Sequence, residues 1–323
     1  MRRLASALAV MLYSMLILVP IGLATQRLIL VTGPNPYDWT KSLSENYISQ
    51  NVLEFTLLQA VSSTLMTLII SLPIAWSLGR HRWPFESLIR TVLTLPFVIP
   101  SIIAAMGILT IVGPYGLDIR ANEGTWWWTL IISHAWFNMA LIIRFCEPLL
   151  SKLDPDMEEQ LRLLPHGRTR ASRLKNLWIP LLLPSVVAAA CMTFVFSFTS
   201  FALVRWITVR DNTLESVMAE VSSSAGIQGY MEPTSDIVMG ASLIQFTILL
   251  TSLWLTSVIQ RDRKAILPQA RPEHVRKPNS RGWLVIVPAL IFAVLPLISV
   301  VIGSFRIRDL GESGGGFLSL IHI

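Results

Sequence analysis

The sequence predicts an all-α polytopic membrane protein, on three observations. Mean hydropathy is +0.58 and charged residues make up only 14% of the chain, so its apolar content exceeds what one globular core needs. Seven apolar stretches each reach the roughly 20 residues that a helix needs to cross the hydrocarbon layer of a bilayer. Lys and Arg gather in alternate connections between these stretches, as the topology of a multi-span protein requires.

The predicted spans lie near 4–25, 54–78, 91–112, 127–150, 180–204, 236–259 and 283–304. The first follows Met1, Arg2 and Arg3, the basic-then-apolar order of a secretory signal. Its apolar run is longer than a signal's, and no small-residue cleavage site follows, so this helix is expected to be retained. Cys146 and Cys191 both fall inside predicted spans, which points to packing and away from a disulfide framework or a CxxC metal site.

Charge placement sets the expected orientation. Arg2 and Arg3, then Arg80, Arg82 and Arg90, then Lys152, Arg162, Arg168, Arg170, Arg173 and Lys175 fall on one side, as do Arg261, Arg263, Lys264, Arg271, Arg276, Lys277 and Arg281. The connections between them, up to the seventh span, hold Arg27, Lys41, Arg120, Arg205 and Arg210. The N-terminus is therefore expected in the cytoplasm. The net charge of +6 belongs to this asymmetry and calls for no nucleic acid.

Residues 261–282 lose the apolar character and carry Pro268, Pro272 and Pro278 among many charges, which reads as a cytoplasmic linker. Beyond it, Val294, Leu295, Pro296, Leu297, Ile298 and Ser299 echo Leu18, Val19, Pro20, Ile21 and Gly22 of the first span. That echo reads as the start of a repeat. The expected organisation is one unit of six spans over 1–260 and the first helix of a second over 283–323, truncated before its remaining spans. The glycine-rich piece 311–316 reads as a flexible external loop.

The connection between the fourth and fifth spans, SKLDPDMEEQLRLLPHGRTRASRLKNLWIP, is too regular for a spacer. Asp154 suits an N-cap and Pro155 the first helical position, while Asp156, Glu158 and Glu159 complement the positive end of a helix. Met157, Leu161 and Leu164 then recur at i, i+4 and i+7 as one apolar stripe, and Pro165 and Gly167 stop the helix. A second amphipathic stretch sets Ala171, Leu174 and Trp178 against Arg168, Arg170, Arg173 and Lys175, and Pro180 opens the fifth span. The pattern fits a helix docked in a partner's groove and, more readily, a helix lying on the membrane surface.

At these residues the chain resembles the permeases of binding-protein-dependent ABC importers, especially the fused two-unit permeases for ferric iron and thiamine. The resemblance runs through SLPIAWSLGRHRWP, LPFVIPSIIAAMG, GPYGL, SHAWFN, LDPDMEEQ and FVFSFTSFALV, in that order over nearly all of the first 260 residues. It implies a MetI-like permease fold in which loop 151–180 carries the coupling helix. Its coupling residues would be Asp154, Met157, Glu158, Glu159, Leu161, Leu164 and Gly167. The loop departs from the family pattern: Gln160 and Leu161 follow Glu159, Pro165 stands where glycine is usual, and Gly167 comes two residues late.

The resemblance further implies a bacterial inner-membrane location and three partners: an ABC ATPase dimer, a periplasmic substrate-binding protein that meets the loops 26–53 and 206–235, and a second permease unit or homologous chain. The solute would be ferric iron or a thiamine-like small molecule. ATP and magnesium would be bound by the partner ATPase. The chain itself contains no G-x-x-x-x-G-K-[ST] phosphate loop, no cofactor is expected on it, and it is not expected to be an enzyme.

Polar groups inside spans are costly unless they face partners or water. His134 and Asn138, four apart in the fourth span, either line a cavity or hydrogen-bond between helices; Ser197, Thr199 and Ser200 in the fifth are open to the same two readings. Arg144 and Glu147 are expected to pair with each other or to reach toward the interface. Pro96 and Pro100 interrupt the third span, as a gate or as a packing kink. Trp126, Trp127 and Trp128 read as an interfacial aromatic anchor. An ion-gradient-driven carrier is the alternative from another class, but it would place carboxylates near the midplane, and Glu147 lies near a helix end.

Overall fold

A computed structural model describes residues 2–32, 51–113, 116–117, 124–152, 155–164, 167, 169–208, 212–224, 233–261 and 277–305. Among these residues the protein is helical and contains no strand. The helices are α1 (Arg2–Thr32), α2 (Val52–Arg80), α3 (Glu86–Val98), α4 (Ser101–Val112), α5 (Thr125–Lys152), α6 (Pro155–Leu163), α7 (Arg170–Arg173), α8 (Ile179–Phe198), α9 (Ala202–Ile207), α10 (Leu214–Ser224), α11 (Pro233–Arg261) and α12 (Ser280–Phe305). A π-helical stretch, Leu174–Trp178, joins α7 to α8 without a break.

Among the described residues, five helical stretches are long and apolar enough to cross a membrane: Val52–Arg80, Thr125–Lys152, Arg170–Phe198, Gly240–Ile259 and Ser280–Ser304. They fall where the second, fourth, fifth, sixth and seventh spans were expected. Within α1, Val10–Leu23 forms a shorter apolar stretch.

The third span, expected as one kinked helix over 91–112, is instead two helices, α3 and α4, bent by 99°. The two prolines play different parts. Pro96 stays inside α3 and is buried. Pro100 crowds the residue before it out of the helical region, and Ile99 is extended at φ −79°, ψ 141°. Pro100 itself is the N-cap of α4, and its carbonyl accepts from Ile103 and Ala104 N–H at 2.9 and 3.2 Å.

The fifth span also differs from its expected bounds of 180–204. It begins at Arg170 and ends at Phe198, and Pro180 lies inside this continuous helix, just after the π-helical stretch Leu174–Trp178, where the backbone has already left the regular α-helical ladder. A short break at 199–201 separates it from α9.

The chain forms two compact units. The first contains Met1–Glu54 and Thr213–Ile248. Thr213 and Ser216 cap α10 reciprocally: Thr213 N–H donates to Ser216 Oγ at 2.7 Å, and Ser216 N–H donates to Thr213 Oγ1 at 3.4 Å. Gln245 Nε2 donates to Glu215 Oε1 at 2.6 Å, linking α11 to α10. On α1, Val10, Leu12, Leu16 and Leu23 are exposed, an apolar surface suited to lipid.

The second unit, Phe55–Asn212 and Leu249–Ile323, holds the main core. Ile74, Leu78, Ile89, Leu93, Met139, Ile142, Ala189, Ile286 and Ala293 are buried together, drawn from α2, α3, α5, α8 and α12. Ala104, Ile108, Leu130, Trp136, Leu203 and Ile207 form a second cluster where α4, α5 and α9 meet. Helix α12 belongs to this packing: Trp136 Nε1 donates to the Ala293 carbonyl at 3.2 Å, and Ser299 Oγ donates to the Gly107 carbonyl at 2.7 Å. Phe55 stacks against Trp126 and Trp127 at 6.0 and 5.9 Å at one end of α5.

Candidate functional site: a polar seam and the turn after α6

Helix α2 is amphipathic in the sense a membrane imposes. Thr56, Gln59, Ser63, Thr67 and Ser71 recur at helical spacing and are fully buried, while Leu58, Val61, Leu65 and Ile69 on the other face are 46–68% exposed. The buried stripe faces α5 and α8. Ser63 Oγ lies 3.0 Å from His134 Nδ1, within hydrogen-bond reach. Asn138 Nδ2 donates to Ser197 Oγ at 3.2 Å, and Gln59 Nε2 donates to the Ser197 carbonyl at 2.8 Å. Ser197 lies in the last turn of α8, where carbonyls lose their helical donors, so the Gln59 amide supplies one from a neighbouring helix.

The seam keeps unspent polar capacity. Gln59 Oε1, His134 Nε2, Asn138 Oδ1 and Thr193 Oγ1 are buried without a hydrogen-bond partner, and each carries a desolvation cost that water or a polar solute would relieve. Thr199 and Ser200 are half-buried in the break between α8 and α9. Thr199 Oγ1 donates back to the Val195 carbonyl at 3.0 Å. His134, Asn138 and Ser197 thus come together, with Thr199 and Ser200 just beyond them. Pro96 and Pro100 belong to the α3–α4 bend.

Of the two expectations for Arg144 and Glu147, pairing with each other or reaching toward the interface, the first is not what forms: Glu147 is held from another helix. Its Oε1 accepts from Arg90 Nη2 at 2.6 Å, and Arg90 also meets Glu86 at 2.6 Å. The Arg144 side chain is exposed, whereas the Glu147 side chain is 8% exposed and faces the head of α3.

The segment following α5 carries the expected coupling residues. Helix α6 begins at Pro155 as expected. Asp154 and the side chains of Met157 and Glu158 lie outside the described residues. Glu159 is exposed and Leu161 half-buried. Leu164 falls one residue past the helix end and is 55% exposed beside Leu163 at 86%.

Gly167 closes the turn. Its N–H donates to the Leu164 carbonyl at 3.0 Å, and its own carbonyl accepts from Arg173 Nη1 at 2.9 Å. A Cβ at this position would drive into the Leu161 carbonyl, so the turn requires glycine for close approach. Thr169 then caps the next helix, its Oγ1 accepting from Ser172 N–H at 3.1 Å.

Gln59, Ser63, Thr193 and Arg90 were not singled out from the sequence. The signal for the first two is the period of Thr56, Gln59, Ser63 and Thr67, a buried polar stripe inside an apolar span. Nothing local marks Arg90 as the partner of a residue 57 positions away.

Residues 71–309 match the family model described as binding-protein-dependent transport system inner membrane component. The thiamine transport system permease protein ThiP of Brucella abortus is 25% identical over 271 residues, which cover 78% of this chain and 48% of that protein. The sulfate transport system permease protein CysT of Salmonella typhimurium is 28% identical over 160 residues, covering 47% and 56%. The molybdenum transport system permease protein ModB of Haemophilus influenzae is 26% identical over 219 residues, covering 65% and 95%. The chain spans about half the length of the sulfate and thiamine relatives it matches.

Proposed function

The chain belongs to the family of binding-protein-dependent transport system inner membrane components, and from that premise we propose that it forms part of the translocation path of an ATP-driven importer. The observation that carries this reading is the placement of α6 and the Gly167 turn directly between the spans Thr125–Lys152 and Arg170–Phe198. A force on α6 reaches both spans through very short connections. In this reading the loop 151–180 and the N-terminus face the cytosol, and a separate ATPase dimer, which binds ATP and magnesium, pushes on α6. A binding protein delivers the solute from the opposite side, and a second permease unit or homologous chain completes the pore.

The polar seam and the α3–α4 bend are the parts of this chain suited to meeting a solute. Gln59, His134, Asn138 and Ser197 supply donors and acceptors inside an apolar bundle, and the bend at Pro100 lets α3 and α4 move as separate bodies. The similar proteins are transport system permeases for thiamine, sulfate and molybdenum, so the cargo is proposed as a small polar solute. Thiamine is favoured by the extent of the match, and ferric iron rests on the sequence resemblance alone. An ion-gradient carrier finds no support in Glu147, which is tied to Arg90 near the end of α5.

The test is co-purification with the ATPase subunit. Changing Met157, Leu161 and Leu164 together to Asp is expected to abolish it while the chain still inserts in the membrane. Undiminished co-purification contradicts the docking role of α6.

A further inference from the structure

We propose that the cleft between α6 and the start of the fifth span binds the headgroup of an acidic phospholipid. The cleft has a volume of about 380 Å³ and is lined by Arg162 from α6, Arg170 and Arg173 from α7, and the apolar side chains of Trp76, Leu174 and Trp178. Two separate elements thus bring three arginines to the lining of one space.

Three cationic side chains around one space make it a place that favours an anion over a neutral group. The planar guanidinium fork matches phosphate oxygens in geometry as well as charge. Arg173 is held in place by its bond to the Gly167 carbonyl at 2.9 Å, so part of the cationic wall is pre-oriented. The opposite wall is aromatic: Trp76 and Trp178 meet edge to face at 4.4 Å, and the Arg80 guanidinium stands 4.9 Å over the Trp178 ring.

A lipid is favoured over a free anion because the site is half apolar and lies where a membrane span begins. The stretch Arg170–Phe198 enters the bilayer from this cleft, and tryptophan beside arginine is the composition of the headgroup layer. Leu174, 51% exposed at the rim, offers a surface for the glycerol and first acyl carbons, which inorganic phosphate would not use. An occupying headgroup ties α6 to the fifth span, so lipid composition sets how firmly the coupling turn is held. This proposal rests on the reading above only for the leaflet, which is the cytosolic one.

The test uses the full chain purified in neutral detergent and offered equal amounts of phosphatidylglycerol and phosphatidylcholine, with retained lipid read by native mass spectrometry. Selective retention of phosphatidylglycerol is expected. Replacing Arg162, Arg170 and Arg173 by Gln is expected to lower its apparent affinity by at least about tenfold, the order that loss of several juxtamembrane cations produces. The corresponding Lys variant should keep an intermediate affinity.

Equal retention of both lipids by the unaltered chain overturns the proposal, whether or not the Gln variant folds. Unchanged retention by a folded Gln variant overturns it as well, and so does displacement of phosphatidylglycerol by excess inorganic phosphate, since the site would then read a free anion. None of these readouts needs the ATPase, so failure of the coupling role appears separately, as undiminished co-purification of the α6 variant.

Discussion

Arg90 reaches from the start of α3 to Glu147, shortly before α5 ends at Lys152, and donates to its carboxylate at 2.6 Å. The pair ties the half of the broken span that precedes the bend to the helix that leads into α6. In the proposed coupling role, movement of the turn after α6 would have a polar path to the bend at Pro100.

Glu147→Gln leaves Arg90 with a weaker, neutral acceptor in a largely buried position, and should destabilise the protein by about 1–3 kcal/mol. Glu86→Gln should cost less, since the Glu86 side chain is 21% exposed against 8% for Glu147. Thermal unfolding in detergent checks both. A double-mutant cycle with Arg90→Gln should return a coupling energy; purely additive losses would contradict the pairing.

Gly107 is where α4 meets α12. An added Cβ would press on the Pro296 carbonyl and the Val300 side chain, so Gly107→Ala should separate the helices and cost about 1–3 kcal/mol. Gly22→Ala is the control: its Cβ meets nothing within 4 Å, and helix propensity alone favours the change by up to about 1 kcal/mol. Unfolding midpoints of the two variants should move in opposite directions.

Asn138→Ala and Ser197→Ala each remove one side of the same 3.2 Å bond. Each should cost on the order of 1 kcal/mol, as interhelical hydrogen bonds in membranes do, and the double variant should cost less than the sum. If the seam also contacts solute, uptake falls further than stability does, which transport assays on variants matched for abundance would register.

Gly167→Val should cripple uptake with little loss of membrane insertion. The valine Cβ collides with the Leu161 carbonyl, so the turn after α6 must open and the Arg173 contact to the Gly167 carbonyl is lost. The expected result is at least a tenfold fall in transport, against an unchanged amount of chain in the membrane.

The spans were legible because an apolar run long enough to cross a bilayer leaves a helix few alternatives. That Pro100 breaks the chain while Pro96 does not depends on local packing: Pro96 is buried in α3 against neighbouring helices, and only Ile99 turns extended. The start of α6 at Pro155 was readable from the residue preferences of a helix N-terminus. Its apolar stripe was less so, because the turn at Leu164 and Gly167 carries Leu164 off the helix. The seam was visible as single residues, His134, Asn138 and Ser197, and its missing half lay in the period of Thr56, Gln59, Ser63 and Thr67. Partners such as Arg90 and Glu147 follow from how helices pack, which hydropathy does not encode.

The coupling role of α6 is tested most directly by accessibility. With Cys146 and Cys191, the two native cysteines, replaced by Ala, Leu163→Cys places a single thiol at an 86% exposed position. A membrane-impermeant maleimide should label it in inverted inner-membrane vesicles and leave it unlabelled in intact spheroplasts. Labelling in spheroplasts and protection in inverted vesicles would put α6 on the far side of the membrane from any ATPase and contradict the account.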